Sequence, residues 1–430
     1  MSNIIRLVEK AQSSRPPVQK FANTIVSYFI PVILTIAIVV FLIWYFVLGA
    51  SLLFSLTCLI SILVVACPCA LGLATPTAVT VGVGRAAEYG ILIKNGDTLE
   101  NAGQIDVAAF DKTGTITEGK PEVDDIIPYD VSENELIKLA ASVEQNSTHP
   151  IAKAIVNKSK ELGIELDSTS QFENITGKGL KASLNDSEVL AGNLALMQSG
   201  DVSVSNDLVD KYHELESLSK TIIFIAQDKS VKGILSLSDK IKSNSKRTID
   251  ELHNMGVETY MLTGDNESTA LNVAREVGID NVKAGVLPEN KLDIVKKAQA
   301  NHTRKVLFVG DGINDAPALT QADIGVAMGN GTDIAMESGD IVIMEGDLEN
   351  VVAAVQFSKK VMRRIKENIF WAFAYNSILI PVAAGVLYPT FGITFQPALA
   401  GLAMAMSSVT VITLSLMLKR YVPEIKRSKN

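Results

Sequence analysis

Two long blocks of the chain hold no charged side chain. From Phe21 to Gly84, and again from Asn368 to Leu418, there is no Asp, Glu, Lys or Arg. A helix crosses the hydrocarbon of a bilayer with roughly 20 apolar residues, so each block is long enough for a helical hairpin. The pattern predicts four spans, near 25–48, 54–76, 369–388 and 395–417, with turns around Gly49 to Leu53 and around Tyr388 to Gln396. The alternative is four buried helices of a water-soluble protein. Uncharged runs of this length argue against it.

Between the blocks the pattern changes. "VAAFDKTGT" (107–115) is a buried-strand run leading into a polar loop, and "VETYMLTGD" (257–265) and "KVLFVGDGIND" (305–315) repeat the design. "DIGVAM" (323–328) and "DIVIM" (340–344) read as further short strands, and 267–277 and 290–300 as helices. Strands alternating with helices predict a parallel, doubly wound α/β domain. Ligands of such sheets bind beyond the carboxyl ends of the strands, where three Asp-bearing loops fall. From "EGKPEV" to "KGILSLSD" the alternation stops. Residues 121–234 read as an inserted α+β domain, with helices near 133–145 and 150–162, strands near 188–191 and 221–227, and an exposed loop at "QSGDVSVSND" (198–207).

The expected organisation is therefore 1–20 as a linker, 21–84 as a membrane hairpin, and 85–120 with 235–366 as the doubly wound domain. Residues 121–234 are the insertion, 367–418 a second hairpin and 419–430 a tail. A length of 430 residues suits several domains at about 150 residues each. The net charge of −8 gives no ground for a nucleic-acid partner; the lipid bilayer is the expected one. Basic residues flank the apolar blocks on one side only: Arg6, Lys10, Arg15, Lys20, Arg85 and Lys94 around the first, and Lys359, Lys360, Arg363, Arg364, Lys366, Lys419 and Arg420 around the second. The positive-inside rule then places both ends and the central region in the cytoplasm. A secretory signal layout is not found. The three cysteines, Cys58, Cys67 and Cys69, share one expected span, so no disulfide framework arises.

Phosphate chemistry is written into the strand-end loops. A carboxylate at a strand end, such as Asp111 in "DKTGT", can attack a phosphoryl group. That attack needs Mg²⁺ and cations against the transferring charge. Asp311 and Asp315 supply hard oxygen ligands, Lys291 a phosphate clamp, and Thr263 and Gly264 hydrogen bonds to phosphoryl oxygens. Phosphatases on this scaffold usually place a second acid two residues after the nucleophile. Here Thr113 stands there, and it cannot act as general acid or base. An aspartyl phosphate on Asp111 is therefore expected to persist, which argues against the competing reading of a membrane-anchored phosphatase.

"CPC" (67–69) interrupts an apolar helix. Pro68 removes a backbone hydrogen bond. Two readings fit: kinked packing with cysteines as small apolar residues, or a soft-metal site of two thiolates. Cys58, nine residues earlier, reads as packing.

The motifs "DKTGT" (111–115), "TGDN" (263–266) and "GDGINDAPAL" (310–319), in this order and flanked by membrane hairpins, closely resemble the P-type cation-transporting ATPases. That resemblance implies a doubly wound phosphorylation domain of haloacid dehalogenase type, phosphorylation of Asp111 by ATP, and Mg²⁺ held at Asp111, Thr113 and Asp311. Lys112, Thr263, Gly264, Asp265, Lys291, Asn314 and Asp315 complete the catalytic set. Within the insertion, "EQNSTHPIAKAI" (144–155), "ITGKGL" (175–180) and "LAGN" (190–193) resemble the nucleotide-binding domain of the heavy-metal branch. They imply ATP contacts from Glu144, His149, Gly177, Gly179 and Asn193. Thr148 departs from that pattern, which usually has Glu before the His.

The same resemblance makes Cys67 and Cys69 transport ligands. Tyr375 and Asn376 precede Pro381, and "AGLAMAMSSVTV" (400–411) offers Met404, Met406, Ser407 and Ser408. No charged partner for a divalent ion is present in these spans. Cys67, Cys69, Tyr375, Asn376, Met404 and Ser408 thus resemble a Cu(I) site, with Zn²⁺, Cd²⁺ or Ag(I) as alternatives. Leu414 stands where the family often has Asn. The implied function is ATP-driven export of Cu(I) across a prokaryotic plasma membrane, with a cytoplasmic copper chaperone as a possible supplier. Complete pumps of this kind have further N-terminal helices and an actuator domain with a TGE loop. No TGE occurs here, and 3–23 reads as the tail of that domain. The expectation is an incomplete chain impaired in dephosphorylation, its N-terminal half supplied by another chain if at all.

Overall fold

The computed structural model describes residues 17–147, 149–184, 187–218, 220–299, 303–311, 313–329 and 337–427. The expected linker up to 16 and Thr148 lie outside the described residues. The chain divides into two compact units: one of residues 1–107, 295–308 and 316–430, the other of 108–294 and 309–315.

The first unit carries the membrane helices. α1 (Pro17–Leu42) continues as one π-helical stretch, Ile43–Val47, and α2 (Leu52–Val65) returns. The hairpin turn falls where expected, and Ser51 caps α2 by accepting from the Phe54 amide. The second span does not end near 76. It breaks at Ala66–Pro68, where the Leu71 amide bonds to the carbonyl of Pro68, and resumes as α3 (Cys69–Ala87), carrying the chain past the end of the uncharged block.

α4 (Glu349–Ala383) and α5 (Pro397–Leu416) follow. Among the described residues three helices are long and apolar enough to cross a membrane: Pro17–Val47, Leu52–Ala87 and Pro397–Arg420. The third expected span, near 369–388, is not a separate helix. It is the far end of α4, whose first half carries Lys359, Lys360, Arg363 and Arg364; the uncharged part from Asn368 to Ala383 is shorter than the roughly 20 residues that fill the hydrocarbon.

Two apolar clusters set the level of every residue between them. In one, Val65 and Ala66 meet Ala383 of α4 and Ala400 of α5, together with Ile33 and Ala37 of α1. In the other, Ala70, Leu71 and Ala74 meet Ala372 of α4 and Val411 of α5, with Ala22 of α1.

This unit also holds strands in the order Ile91–Ile93, Ile341–Ile343, Ile324–Met328 and the start of Val306–Gly310. Ile91–Ile93 runs antiparallel to Ile341–Ile343, so the expected all-parallel sheet has an antiparallel edge. The second unit holds Val107–Asp111 from Ala108 onward, Glu258–Leu262 and Asn281–Lys283, the last two parallel. All five residues of Val107–Asp111 and of Val306–Gly310 are buried, as a strand covered on both faces requires.

The insertion is a six-stranded antiparallel sheet in the order Thr117–Pro128, Ser230–Ile241, Thr221–Gln227, Ser187–Gly192, Gly179–Leu184, Ser170–Ile175. Helices Glu133–Glu144 and Pro150–Glu161 cover one face around Leu136, Ile137 and Ile155. Helices Leu194–Ser199 and Asn206–Ser217 cover the other around Met197 and Phe224. The stretch 198–207 is not simply an exposed loop: Val202 is buried in that second core, and Ser203 bridges to Ser230.

Candidate functional site

Asp111 is the last residue of its strand and is buried. The Lys291 ammonium donates to Asp111 Oδ1 and to Asp315 Oδ1, at 2.7 Å each. Asp111, Asp311 and Asp315 bring carboxylate oxygens within 4.8 Å of one another. That donor set, hard and anionic, suits Mg²⁺. Burial, then the Asp315 charge, pushes the Asp111 carboxyl up to about 7, against the pull of Lys291. Burial and Asp315 raise Asp311 as well. Lys291 is held above its ordinary value: burial opposes its charge, but the two carboxylates outweigh burial. Asp111 and Asp311 are both raised despite the lysine between the acids, so the site favours an added positive charge.

The loop after Asp111 explains its glycine. Gly114 adopts φ +73°, and a Cβ there would enter the Asp311 carboxylate. Thr113 is exposed and extended (φ −74°, ψ 127°). Lys112 is buried and pairs with Asp265. Thr263 is buried and accepts from the Asp265 amide at 3.1 Å; Gly264 lies in the turn between them, near the Val286 carbonyl. Asn314 is exposed in the short turn Ile313–Asp315, while Asp315 beside it is buried and accepts from the Asp311 amide.

Two residues of this neighbourhood escaped the sequence reading. Lys242 donates to the Gly114 carbonyl at 2.9 Å and lowers the Asp311 carboxyl by its charge. Asp239 accepts from Thr117 Oγ1 and from the Lys120 amide. Both sit where the chain returns from the insertion, in "SDKIK", and a lysine and an aspartate there carry no local signal of what they face.

In the insertion, Glu144, His149, Gly177, Gly179 and Asn193 line one cavity of about 300 Å³, with Asn174, Lys178 and Ile222 among its other walls. Gly177 (φ +75°) and Gly179 (φ +143°) are left-handed, and a Cβ on Gly179 would strike the Ala191–Gly192 backbone. Asn193 ties the glycine turn down by donating to the Gly177 carbonyl at 3.0 Å, and caps the next helix by accepting from the Leu196 amide. His149 caps its own helix, Nδ1 accepting from the Ile151 amide; its ring is exposed at the cavity edge. Glu144 is buried, and burial alone raises its carboxyl to about 7.

Five of the membrane residues fall between the two apolar clusters along their helices. Cys67 and Cys69 are free, exposed thiols at the break between α2 and α3, and Cys58 is buried. The break lies between the two apolar clusters, and so do Asn376 on α4 and Met404 and Ser407 on α5. Asn376 is fully buried, and neither of its amide atoms has a hydrogen-bond partner; the buried Ser407 hydroxyl has none either. Tyr375 is half-buried, its hydroxyl 3.4 Å from that of Thr410. Met404 is buried. Ser408 is half-buried and donates to the Met404 carbonyl of its own helix.

Residues 105–323 match the haloacid dehalogenase-like hydrolase family. Over 427 residues, 99% of the chain, the sequence is 53% identical to a probable copper-exporting P-type ATPase of Archaeoglobus fulgidus, of which it covers 52%. A copper-exporting P-type ATPase of Staphylococcus haemolyticus is 46% identical over 98% of this chain and 51% of its own length. The chain thus spans about half the length of the curated relatives it matches. The fold matches the crystal structure of a zinc-transporting PIB-type ATPase with a TM-score of 0.82 at 35% identity, covering 97% of this chain and 67% of that one. By these matches and by the motifs around Asp111, the chain belongs to the PIB-type branch of the P-type ATPases, within the haloacid dehalogenase-like hydrolases.

Proposed function

We propose that the chain forms the ATP-cleaving and ion-conducting part of a Cu(I) exporter of the prokaryotic plasma membrane, with its nucleotide-binding and phosphorylation regions in the cytoplasm. The adenosine of ATP takes the cavity lined by Glu144, His149, Gly177, Gly179 and Asn193. An Asp111 carboxylate oxygen attacks the γ-phosphorus, the bond to the β–γ bridging oxygen breaks, and ADP leaves. Lys291 balances charge on the nucleophile side, and Thr263 and Gly264 offer hydrogen bonds to the transferred group. Asp111, Thr113 and Asp311 would hold Mg²⁺, which supplies charge neutralisation at the phosphoryl oxygens when bound. Thr113 cannot protonate a leaving group, so the acyl phosphate outlives its formation.

The observation that carries the choice of ion is the chemistry at the level of the CPC break. Two thiols, a thioether, an amide and hydroxyls are what these spans offer, and the spans contain no Asp, Glu, Lys or Arg. Soft neutral donors beside thiolates suit a monovalent soft ion better than Zn²⁺. Two of the relatives are named as copper exporters, which supports the same reading; a zinc transporter among the solved structures keeps Zn²⁺ as the competing cargo. A copper chaperone on the cytoplasmic side is a proposed partner.

The test is phosphorylation of the reconstituted chain by γ-labelled ATP with Cu(I), Ag(I) or Zn²⁺. The expected result is an acid-stable, hydroxylamine-sensitive phosphoenzyme that needs Cu(I) or Ag(I) and is lost in both Asp111→Asn and Cys67→Ser. Formation with Zn²⁺ alone would overturn the choice of ion.

A further inference from the structure

Just before its uncharged part, α4 presents a basic stripe. Lys359, Arg363 and Lys366 follow one another at four and three residues, so they share one face of the helix, and all three are exposed. They wall a cavity of about 350 Å³ between α4 and residues 100–104, at the end of the short helix Gly96–Ala102. The two acids of that cavity have other partners. Glu367 accepts from Arg363 at 3.0 Å and from Arg364 at 2.9 Å, two guanidiniums on one carboxylate. Glu100 accepts from the Val18 amide of α1 at 3.0 Å. Lys359 and Lys366 have no ion-pair partner among the described residues.

The stripe then turns apolar. Phe370, one helical turn past Lys366, is 64% exposed, and Trp371 beside it is 44% exposed. The uncharged part of α4 opens at Asn368 and packs into the membrane bundle at Ala372. At 1.5 Å per residue, Arg363 and Lys366 lie within about 8 Å of Asn368 along the helix axis. That is about the thickness of the headgroup layer on one side of a bilayer. Unpaired cations in a cavity at that depth, with exposed aromatic rings one turn further in, complement an amphiphile with an anionic phosphate and an acyl chain. We propose that this cavity binds the headgroup of an anionic phospholipid of the cytoplasmic leaflet. The phosphodiester sits among Lys359, Arg363 and Lys366, and the acyl chain runs along Phe370. A free phosphate would meet the cations and leave Phe370 without a role. Basic flanks that only obey the positive-inside rule need no cavity. The proposal is independent of which ion the protein carries.

The experiment titrates the full chain in detergent with phosphatidylglycerol and, separately, with phosphatidylcholine, and counts bound lipid by native mass spectrometry. Two double variants are compared. Lys359→Gln with Lys366→Gln empties the cavity of its unpaired charge. Lys419→Gln with Arg420→Gln removes as much exposed charge from the same side of the bilayer, outside the cavity. The unsubstituted chain should bind phosphatidylglycerol in preference to phosphatidylcholine. The first pair should weaken phosphatidylglycerol binding by about 30-fold, one charge contact for each lysine, and the second should leave it within a few-fold. Each single lysine substitution, which keeps the protein measurable if the pair does not fold, should cost about 5-fold. Millimolar inorganic phosphate should not displace the lipid. Equal binding of the two lipids overturns the proposal. Equal losses in the two double variants would make the attraction a diffuse property of the surface, and displacement by inorganic phosphate would make the cavity a free-anion site; either result overturns it too.

Discussion

Lys291 holds Asp111 and Asp315 together: one ammonium lies 2.7 Å from an oxygen of each. Removing it leaves two buried carboxylates facing each other with Asp311 close by. Breaking a buried pair in this way costs about 3–5 kcal/mol. Lys291→Met should therefore lower the melting temperature and cut phosphoenzyme formation by about two to three orders of magnitude, the scale of losing one preorganised charge at a transition state. Rapid-quench labelling with γ-labelled ATP, beside differential scanning fluorimetry, reads both. A Lys291→Met protein of normal stability and phosphorylation would refute this role.

The same crowding of acids predicts a metal effect without nucleotide. A divalent cation that binds the folded state alone stabilises it by about 2.7 kcal/mol at a hundred times its dissociation constant. Millimolar Mg²⁺ should raise the melting temperature relative to EDTA, and Asp311→Asn should shrink that rise. An equal Mg²⁺ response in Asp311→Asn would place the ion elsewhere.

Gly114 allows a cleaner separation of sites. Gly114→Ala puts a methyl group into the Asp311 carboxylate and strains a left-handed backbone. Phosphorylation should be lost, while ATP affinity, set in the cavity of the insertion, should stay within a few-fold. Isothermal titration with a non-hydrolysable ATP analogue checks the second half.

Glu144 predicts a pH dependence with a definite sign. Burial raises its carboxyl from 4.5 to about 7. Between those values the unfolded chain has released the proton and the folded chain has kept it, so stability falls as pH rises from about 4.5 to 7 and is level above. The full shift corresponds to about 3 kcal/mol. Glu144→Gln, neutral at every pH, should flatten this part of the melting-temperature profile between pH 5 and 8. An unchanged slope would show that Glu144 is ionised in the fold.

What the sequence made legible was local. Asp111, Thr263 and Asp311 each end a run of apolar residues, and a strand end is a place that a linear pattern can locate. The faces of the membrane helices were not legible. Adjacent Ser407 and Ser408 have the same chemistry, and only the packing of α5 through Ala400, Met404 and Val411 separates them. α3 continues to Ala87 because Thr75, Ala78 and Val79 find buried positions there, which a hydropathy run cannot report. The antiparallel edge at Ile91–Ile93 rests on pairing with Ile341–Ile343, some 250 residues away, and Lys242 reaches the phosphorylation loop by folding, not by spacing.

Asn376 gives the membrane site its sharpest test, because function and stability should move in opposite directions. Its amide is buried with no partner, so it burdens the fold by the unpaired polar atoms it keeps. Asn376→Leu replaces it with an apolar side chain of similar size. The melting temperature in detergent should hold or rise, while Cu(I) affinity falls, as expected where a destabilising group is kept for a site. Asn376→Asp keeps the shape and adds a charge; on the proposed reading of the ion site it should weaken Cu(I) and strengthen Zn²⁺, reversing the preference measured by competition with chelators. A loss of stability in Asn376→Leu would mean that the amide is partnered in the folded protein and serves packing. Unchanged preference in Asn376→Asp would mean that the ion never meets this side chain.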